Sequence, residues 1–447
     1  MRVLFFIALR NLLQARRRTT MLSAAIALVT MLLVLLLAMS AGINDNLIRG
    51  ATTLSAGHIN VSGFFKASRG EAAPIIDGVA RIREIVQKNT PNLAYITDRH
   101  RGWGKVVSAT GSIQSGLSGV DLAQEVHFLD RLQLAQESEY KEGGSDQVFG
   151  DPTRLSDPHT TMLFASQAKK LKVGVGDPVT LQVEMFGGRT NTSDVTVVAI
   201  ARDVGLLSTF TVFLPKSEIL ELYQLDADTS GAVWVYLDDI NDAEATMAHL
   251  REVFAKEGYE IMDHEPAPFF MKFETVQGED WTGQKLDLTI WRDEVSFLTW
   301  VITAFDTVTG FLVLVLVFII AIGIMNTMWN AVRERTREIG TMRAIGMHRR
   351  KVLGLFLFEA LLLGVFATTL GACAGAAVAL VVDAAQIRIP VQAAQFILLS
   401  DTLHLLVRPQ AFFASVASIS CFVVLASLWP ALRASRLPPV TALGHTQ

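Results

Sequence analysis

Four long apolar runs interrupt the chain, and one long polar region separates the first run from the second. The runs cover residues 21–43, 302–329, 352–382 and 410–432. A bilayer core of about 30 Å requires about 20 apolar residues in a helix, and an open chain satisfies its backbone groups in lipid only as a helix. The pattern therefore predicts four transmembrane helices.

The first apolar run has a second interpretation, as a cleaved signal peptide. Basic residues precede it, and Ala38, Met39 and Ser40 resemble a small-residue cleavage site. However, the apolar region of a signal peptide usually has about 7–15 residues, whereas this run carries no charge between Arg18 and Asp45. We favour a helix that remains in the membrane as an anchor.

Charge is low and unevenly placed, with 18% charged and 51% hydrophobic residues. Basic residues cluster beside the apolar runs, namely Arg2, Arg10, Arg16, Arg17, Arg18, Arg333, Arg335, Arg337, Arg343, Arg349, Arg350, Lys351, Arg433 and Arg436. Because short cytoplasmic segments are rich in Lys and Arg, residues 1–20, 330–351 and 433–447 are predicted to be cytoplasmic, with both termini. Residues 44–301 and 383–409 are then outside. Nucleic-acid binding is not expected, since the basic clusters adjoin apolar runs.

The polar region 44–301 is long enough for a folded domain, and we expect two subdomains. Its β-branched or alternating segments predict strands at 58–61, 179–185, 194–201 and 232–237. Its helical patterns lie at 77–88, 166–171, 216–223 and 243–257. Asp77 and Ser217 are candidate N-caps. The predicted fold class is a membrane α-helical protein with four transmembrane helices and an α+β extracytoplasmic domain.

Apolar residues at helical spacing continue beyond the first and second runs. They are Ile43, Leu47 and Leu54 on one side and Leu286, Ile290, Phe297 and Val301 on the other. This spacing places each set on one face of a helix, so the transmembrane helices could extend into the domain as a stalk. A buried face within the soluble domain explains the same spacing equally well.

Residues typical of catalysis or metal binding form no recognisable set. The two cysteines, Cys373 and Cys421, lie inside apolar runs, so neither a disulfide nor a cysteine-based zinc site is expected in the soluble domain. No phosphate-binding G-x-x-x-x-G-K-[ST] motif occurs. We expect no catalytic residues, no metal site and no cofactor in this chain.

The segment between the second and third apolar runs, residues 330–351, is basic and amphipathic. Ile339, Met342 and Ile345 alternate with charged residues, and Gly340 and Gly346 each cost a helix about 1 kcal/mol relative to alanine. A helix with two glycines suggests a bend or a close backbone contact. A basic loop lying on anionic lipid is an equally good interpretation of this pattern.

This segment resembles the signature of the FtsX/MacB-like ABC permease superfamily, through R-E-I-G-T-M-R-A-I-G and the basic residues that follow. Shorter similarities occur at 55–61, 164–181 and 429–443. The resemblance implies that 330–351 is a coupling helix that docks on an ATPase. The coupling residues it implies are Arg337, Glu338, Gly340, Arg343, Gly346 and Arg349. It also implies a MacB-like periplasmic core domain and a location in the bacterial inner membrane.

Lipoprotein-releasing permeases resemble the chain most within that superfamily, through 387–390 (I-R-I-P) and 399–409. This implies a non-catalytic subunit working with an ABC ATPase dimer, which binds ATP and Mg, and a second permease subunit in a homo- or heterodimer. The client would be a lipoprotein or another hydrophobic molecule, with a periplasmic chaperone or adaptor as a further partner. The implied mechanism is mechanotransmission. The alternatives are an FtsX-like regulator of a cell-wall hydrolase and a MacB-like efflux component.

Several residues inside the apolar runs stand out. Buried carboxylates in membranes usually have a partner, so we expect Glu359 to bond with an arginine of the coupling segment rather than to relay protons. Gly364, Gly371 and Gly375 predict a face of close helix packing, within or between subunits. If acyl chains enter between the first two helices, the candidate substrate mouth consists of Phe305, Val308 and Leu312.

Overall fold

The computed structural model describes residues 2–14, 16–68, 71–125, 128–185, 188–204, 207–387, 389 and 402–436. The chain divides into two units. The membrane unit comprises Met1–Asp45, Ile302–Arg388 and Thr402–Gln447, and the sheet unit comprises Asn46–Val301 and Ile389–Asp401.

Helices and strands are numbered in chain order. The helices are α1 Arg2–Gln14, α2 Arg16–Leu54, α3 Val79–Asn89, α4 Phe128–Arg131, α5 Glu137–Tyr140, α6 Ala165–Leu171, α7 Lys216–Tyr223, α8 Ala243–Lys256, α9 Phe269–Gly278, α10 Trp291–Glu294, α11 Thr299–Glu334, α12 Thr336–Ala344, α13 Arg349–Ala384 and α14 Pro409–Ser435. The strands are β1 Ile59–Ser68, β2 Glu71–Ala73, β3 Ile76–Asp77, β4 Leu93–Val107, β5 Ser112–Val120, β6 Thr160–Phe164, β7 Pro178–Glu184, β8 Thr190–Ala201, β9 Thr211–Pro215, β10 Thr229–Ser230, β11 Ala232–Leu237 and β12 Gly283–Ile290.

The sheet unit is built around the long strand β4. Its first half pairs with β11 in the order β12-β1-β11-β4, and α3 and α8 pack on that sheet over a core that includes Ile59, Val233 and Phe254. Its second half pairs with both β5 and β7, which closes β4-β5-β9-β6-β8-β7 into a ring of paired strands. A second core, with Leu163 and Val197 among its residues, belongs to this ring. The expected division into two subdomains is therefore present, with one strand shared.

The predicted strands and helices of this unit are confirmed, but both proposed N-caps are wrong. Asp77 pairs with Thr229 in the short sheet β10-β3, so its backbone is extended. The cap of α3 is instead Gly78, at φ 70°, a conformation that glycine adopts without steric cost. The helix α7 begins at Lys216, as predicted, but its cap is Pro215 and not Ser217.

The predicted stalk is wrong on the side of the second apolar run. Leu286 and Ile290 lie in β12, which pairs antiparallel with β1, and the long helix begins only at Thr299. A spacing of four residues places side chains on one face of a strand as well as on one face of a helix. The other interpretation, a buried face inside the soluble domain, is correct there. On the side of the first run, α2 does continue to Leu54.

His100 is buried in β4, where its Nε2 donates to the Thr229 carbonyl oxygen at 2.8 Å. Burial, reinforced by the positive charge of Lys216, lowers the pKa of His100 from 6.5 to about 4. Between these two values the unfolded chain binds a proton that the folded unit does not bind. The folded state is therefore more stable relative to the unfolded chain above pH 6.5, and this extra stability is lost as the pH falls towards 4.

Replacing His100 with glutamine is expected to remove this acid sensitivity, because the amide can donate to the same carbonyl and does not titrate. Between pH 6.5 and pH 4 the titration of His100 should lower the free energy of unfolding of the wild-type sheet unit by up to about 3 kcal/mol. Burial raises the pKa of Glu125, Asp287 and Glu294. These three carboxyls therefore make the folded state less stable as the pH rises, and they do so equally in the wild type and in the variant. Hydrogen exchange of the β4 amides in the solubilised chain measures the difference. Identical pH profiles for wild type and variant would contradict it.

The membrane unit has four helices long and apolar enough to cross a bilayer, within Thr19–Thr52, Ser296–Glu334, Arg349–Ala384 and Pro409–Ser435. Their shared core includes Ile26, Ile324, Phe356 and Val423. The predicted fold class, four membrane helices with an α+β domain, is confirmed. The exact bounds of the membrane-embedded parts, and the predicted orientation, stay predictions.

The basic N-terminal segment, residues 1–20, is helical where the structure describes it. Helix α1 buries Ala8 completely and leaves Phe6 66% exposed. A short helix with an exposed apolar edge beside a membrane span is typical of an interfacial helix.

Candidate functional site

The segment between α11 and α13 is not one helix but a short helix with a break at each end. At the first break Arg335 has φ −104° and ψ 18°, and α12 starts at Thr336. At the second break Gly346 has φ 101°. The Gly346 N–H donates to the Arg343 oxygen at 3.1 Å, and the Met347 N–H to the Met342 oxygen at 3.0 Å. This pattern is a Schellman motif, which requires a left-handed residue and therefore favours glycine.

The inner face of α12 is fixed to the spanning helices. Ile339 is 1% exposed and belongs to the membrane core, and Gly340 beside it is buried. Arg343 donates from Nη1 to the Ser435 carbonyl oxygen of α14 at 3.0 Å. Gly340 and Arg343 therefore hold α12 in place and do not lie on its exposed face.

The outer face of α12 and the adjoining turns are exposed. Four of the six residues predicted to contact an ATPase lie there, namely Arg337, Glu338, Gly346 and Arg349. Ile345 lies with them and is 82% exposed, more than any other large apolar side chain among the described residues. Ile345 is not one of the six residues predicted to contact an ATPase. The sequence feature that could have indicated it is an isoleucine directly before Gly346, in a segment rich in charged residues.

Glu359 anchors the first break of the segment. It is 4% exposed, and its Oε1 accepts from Arg335 Nη1 at 3.0 Å and from Asn11 Nδ2 at 2.5 Å. Arg335 also donates from Nη2 to the Asn11 carbonyl oxygen at 3.3 Å. The expected bond between Glu359 and an arginine of the segment is therefore present. Nothing in the sequence pattern indicated that Asn11, on α1, would share it.

The glycines of α13 mark two close helix contacts within the chain. A side chain at Gly371 would overlap the Ala27 carbonyl oxygen of α2, with its Cβ also 2.7 Å from Ala27 Cα. At Gly375 the Cβ would be 2.9 Å from the Met31 oxygen, also in α2. Gly364 faces α14, where its Cβ would be 3.3 Å from Val423 Cβ. Small residues at these positions allow α13 to pack between α2 and α14.

The predicted substrate mouth lies along one stretch of α11. Val308 is 57% exposed, Leu312 is 41% exposed, and Phe305 is half-buried. Beside them Ser40 Oγ of α2 donates to Asp306 Oδ1 at 2.8 Å, which links the first two spans. The three side chains therefore form an apolar surface rather than an enclosed cavity.

The end of the 383–409 loop packs against α2 through backbone contacts. The Leu406 N–H donates to the Ala38 carbonyl oxygen at 3.0 Å, and the backbone of His404 passes so close to Gly42 that a Cβ there would be 2.8 Å from its carbonyl carbon. His404 Nδ1 lies 2.6 Å from Asp383 Oδ1. Residues 388 and 390–401, which carry part of the motifs assigned to this loop, lie outside the described part of the chain, as does the tail after 436.

Most of α11 and the chain from α12 to α14 match a known family model. Residues 310–439 match the model described as FtsX-like permease C-terminal. The pyoverdine export ATP-binding/permease protein PvdT of Pseudomonas putida is 38% identical over 125 residues, 27% of this chain and 16% of that protein. The macrolide export ATP-binding/permease protein MacB of Pectobacterium atrosepticum is 32% identical over 122 residues, 27% of this chain and 17% of that protein. The matched part of the chain thus spans about a sixth of these curated relatives.

Solved domains show a weaker likeness. The periplasmic region of MacB from Actinobacillus actinomycetemcomitans gives a TM-score of 0.29 at 16% identity, covering 47% of this chain and 87% of that one. The extracellular domain of the ABC-type transporter YknZ from Gram-positive bacteria gives 0.28 at 14% identity, covering 44% and 95%.

Four spans with a short, firmly packed helix between the second and third define an integral membrane protein, and residues 310–439 of it form an FtsX-like permease domain. More narrowly, the family match and the relatives of residues 310–439 support a place for the chain in the FtsX/MacB-like ABC permease superfamily.

Proposed function

We propose that the chain is the permease subunit of an ABC transporter, and that it passes the ATP-driven movement of a separate ATPase dimer to the sheet unit. In this proposal α12 is cytoplasmic, both termini are cytoplasmic, and the sheet unit lies in the periplasm. The basic segments on the α12 side of the spans support this orientation. ATP and Mg are bound by the partner, and the chain itself carries out no catalysis.

The observation that carries the proposal is the two-faced arrangement of α12. Its inner face is held by Ile339, Gly340 and Arg343, while its outer face presents charged side chains and the exposed Ile345. A helix held on one side moves together with the spans that hold it. A force applied to the outer face would therefore reach α11, α13 and α14 without first unfolding α12.

For the client, we propose a lipoprotein released from the inner membrane. The support is the resemblance of the 383–409 loop to lipoprotein-releasing permeases and the exposed apolar surface formed by Phe305, Val308 and Leu312. Each acyl CH₂ that leaves the bilayer costs about 0.8 kcal/mol when exposed to water. Release therefore requires an apolar surface that shields the acyl chains from water. A second permease subunit facing this surface would enclose them in an apolar cavity.

Trapping the complex tests this function. The chain is purified from cells in which the partner ATPase binds ATP without hydrolysing it, and bound proteins are identified by mass spectrometry. We expect acylated lipoproteins to co-purify, and fewer of them when Val308 and Leu312 are both replaced by aspartate. A matched variant with aspartate at the exposed Val378 and Val381 of α13 should retain them.

Efflux is the second candidate, because the relatives that match the membrane unit are named for pyoverdine and macrolide export. In that case the same purification would return a periplasmic adaptor with an outer-membrane channel and no enriched lipoprotein. A cell-wall hydrolase in their place would indicate an FtsX-like regulator. Either result would overturn the lipoprotein assignment and leave the role of α12 intact.

A further inference from the structure

The α12 ends of α11 and α14 share a short motif that the coupling role does not use. Trp329 is followed four residues later by Arg333, and Trp429 is followed four residues later by Arg433. Residues four apart lie on the same helix face. Each helix therefore places a guanidinium beside an indole ring, at the point where its apolar run ends.

The two motifs meet in the structure. The rings of Trp329 and Trp429 stack, with centroids 5.8 Å apart and planes 18° apart. The Arg433 guanidinium lies 5.0 Å from the centroid of Trp329 and 5.8 Å from that of Trp429, and Arg333 lies 5.8 Å from Trp329. Two positive charges thus converge on one aromatic pair.

Neither arginine has an acidic partner among the described residues. The neighbouring Glu334 follows Arg333 directly, and adjacent residues do not face each other on a helix. The tail 437–447 contains no Asp or Glu. Both guanidinium groups lie within 6 Å of the Trp329 ring centroid, and like charges repel one another, so an anion that binds both would be favoured.

The position of the two arginines at the ends of the apolar runs indicates which kind of anion would bind. Arg333 is the first charged residue after Asp306 on α11, and Arg433 is the first after Arg408 on α14. Tryptophan at the end of an apolar run is typical of the bilayer interface. The groups that face a guanidinium at that depth are lipid phosphates, and arginine binds phosphate with two parallel N–H donors.

We propose that Trp329, Arg333, Trp429 and Arg433 form a binding site for the headgroup of an anionic phospholipid. The stacked rings hold the two guanidinium groups by their faces, which leaves the N–H edges to bind the phosphate. The site bridges α11 and α14, so a bound lipid would fasten these two spans to each other. It requires only that both helices cross the membrane, and it does not depend on the client or on the ATPase.

Native mass spectrometry of the detergent-purified full chain tests the site, with dioleoyl phosphatidylglycerol and dioleoyl phosphatidylcholine as probes. We expect a preference for phosphatidylglycerol that falls about fivefold with each of Arg333→Gln and Arg433→Gln, and about 25-fold with both. The control pair Arg350→Gln and Lys351→Gln removes the same charge from an exposed turn of α13 without adjacent tryptophan. It should keep the preference.

Trp429→Leu supplies a second variant, because it keeps both charges and removes one ring. It should weaken phosphatidylglycerol binding by less than the double arginine variant does. An equal loss in the control pair would mean a diffuse basic surface and would overturn the site. So would displacement by inorganic phosphate alone, equal binding of both lipids, or loss of ATPase binding with unchanged lipid preference.

Discussion

Gly371→Leu is expected to destabilise the membrane unit by about 3 kcal/mol or more, the upper range for overpacking a close contact. A Cβ at this position overlaps the Ala27 carbonyl oxygen and lies 2.7 Å from Ala27 Cα. Both are backbone atoms of α2, so no side-chain rotation can relieve the overlap. The helices α2 and α13 would have to move apart, and their contact along Gly375 would open as well.

Gly354→Leu is the matched control, because Gly354 lies on the same helix and a Cβ there meets nothing within 4 Å. A leucine in an exposed part of a helix gains up to about 1 kcal/mol over glycine from helix propensity. Thermal unfolding of both variants in the same detergent, followed by size-exclusion chromatography, compares them. Equal transition temperatures would contradict the close packing of α13 on α2.

Removing the carboxylate of Glu359 is expected to have the second large effect. In Glu359→Leu the Arg335 side chain, 15% exposed, keeps its charge without the Glu359 oxygen that accepts from it at 3.0 Å. Breaking a buried ion pair by removing one partner costs about 3–5 kcal/mol. Because Arg335 forms the break between α11 and α12, the loss should appear locally as faster hydrogen exchange through 335–347.

The double variant Arg335→Met with Glu359→Leu should recover most of that loss, because it leaves no buried charge uncompensated. Glu359→Gln keeps an oxygen that can accept from Arg335 and should fall between wild type and Glu359→Leu. Unfolding and hydrogen exchange of the wild type, Arg335→Met, Glu359→Leu and the double variant form a double-mutant cycle, with a coupling energy of about 0.5–3 kcal/mol expected. Additive effects would mean that Arg335 and Glu359 do not act as a pair.

Composition and periodicity predicted the four spans because an apolar run long enough to cross a bilayer has few other uses. The strands of the sheet unit were predictable from the sequence because their residue types favour strands; β11, for example, is a nearly continuous run of β-branched and aromatic residues. The pattern at residues 286–290 left a helical stalk and a buried face of the soluble domain equally open, because a four-residue spacing suits a helix and a strand alike. Only the pairing of β12 with β1 decides between them.

The motif singled out residues 330–351, but it did not distinguish the two faces of α12. Six residues were grouped together, and the structure separates Gly340 and Arg343 from the exposed four. An arginine can lie on either face of an amphipathic helix, because its aliphatic part packs against apolar side chains while its guanidinium group forms hydrogen bonds. The contact of Asn11 with Glu359 joins residues 348 positions apart, a distance at which local pattern carries no information.

Cross-linking from Ile345 tests the central claim, that the outer face of α12 docks on an ATPase. Cys373 and Cys421 are first replaced by alanine, after which Ile345→Cys or, as a control on another helix face, Leu312→Cys carries a photoreactive maleimide. Irradiation in native membranes, followed by mass spectrometry, should join Ile345→Cys to an ABC ATPase and leave Leu312→Cys without that adduct. Labelling of Ile345→Cys by an impermeant maleimide from the periplasmic side, with no ATPase adduct, would contradict the account.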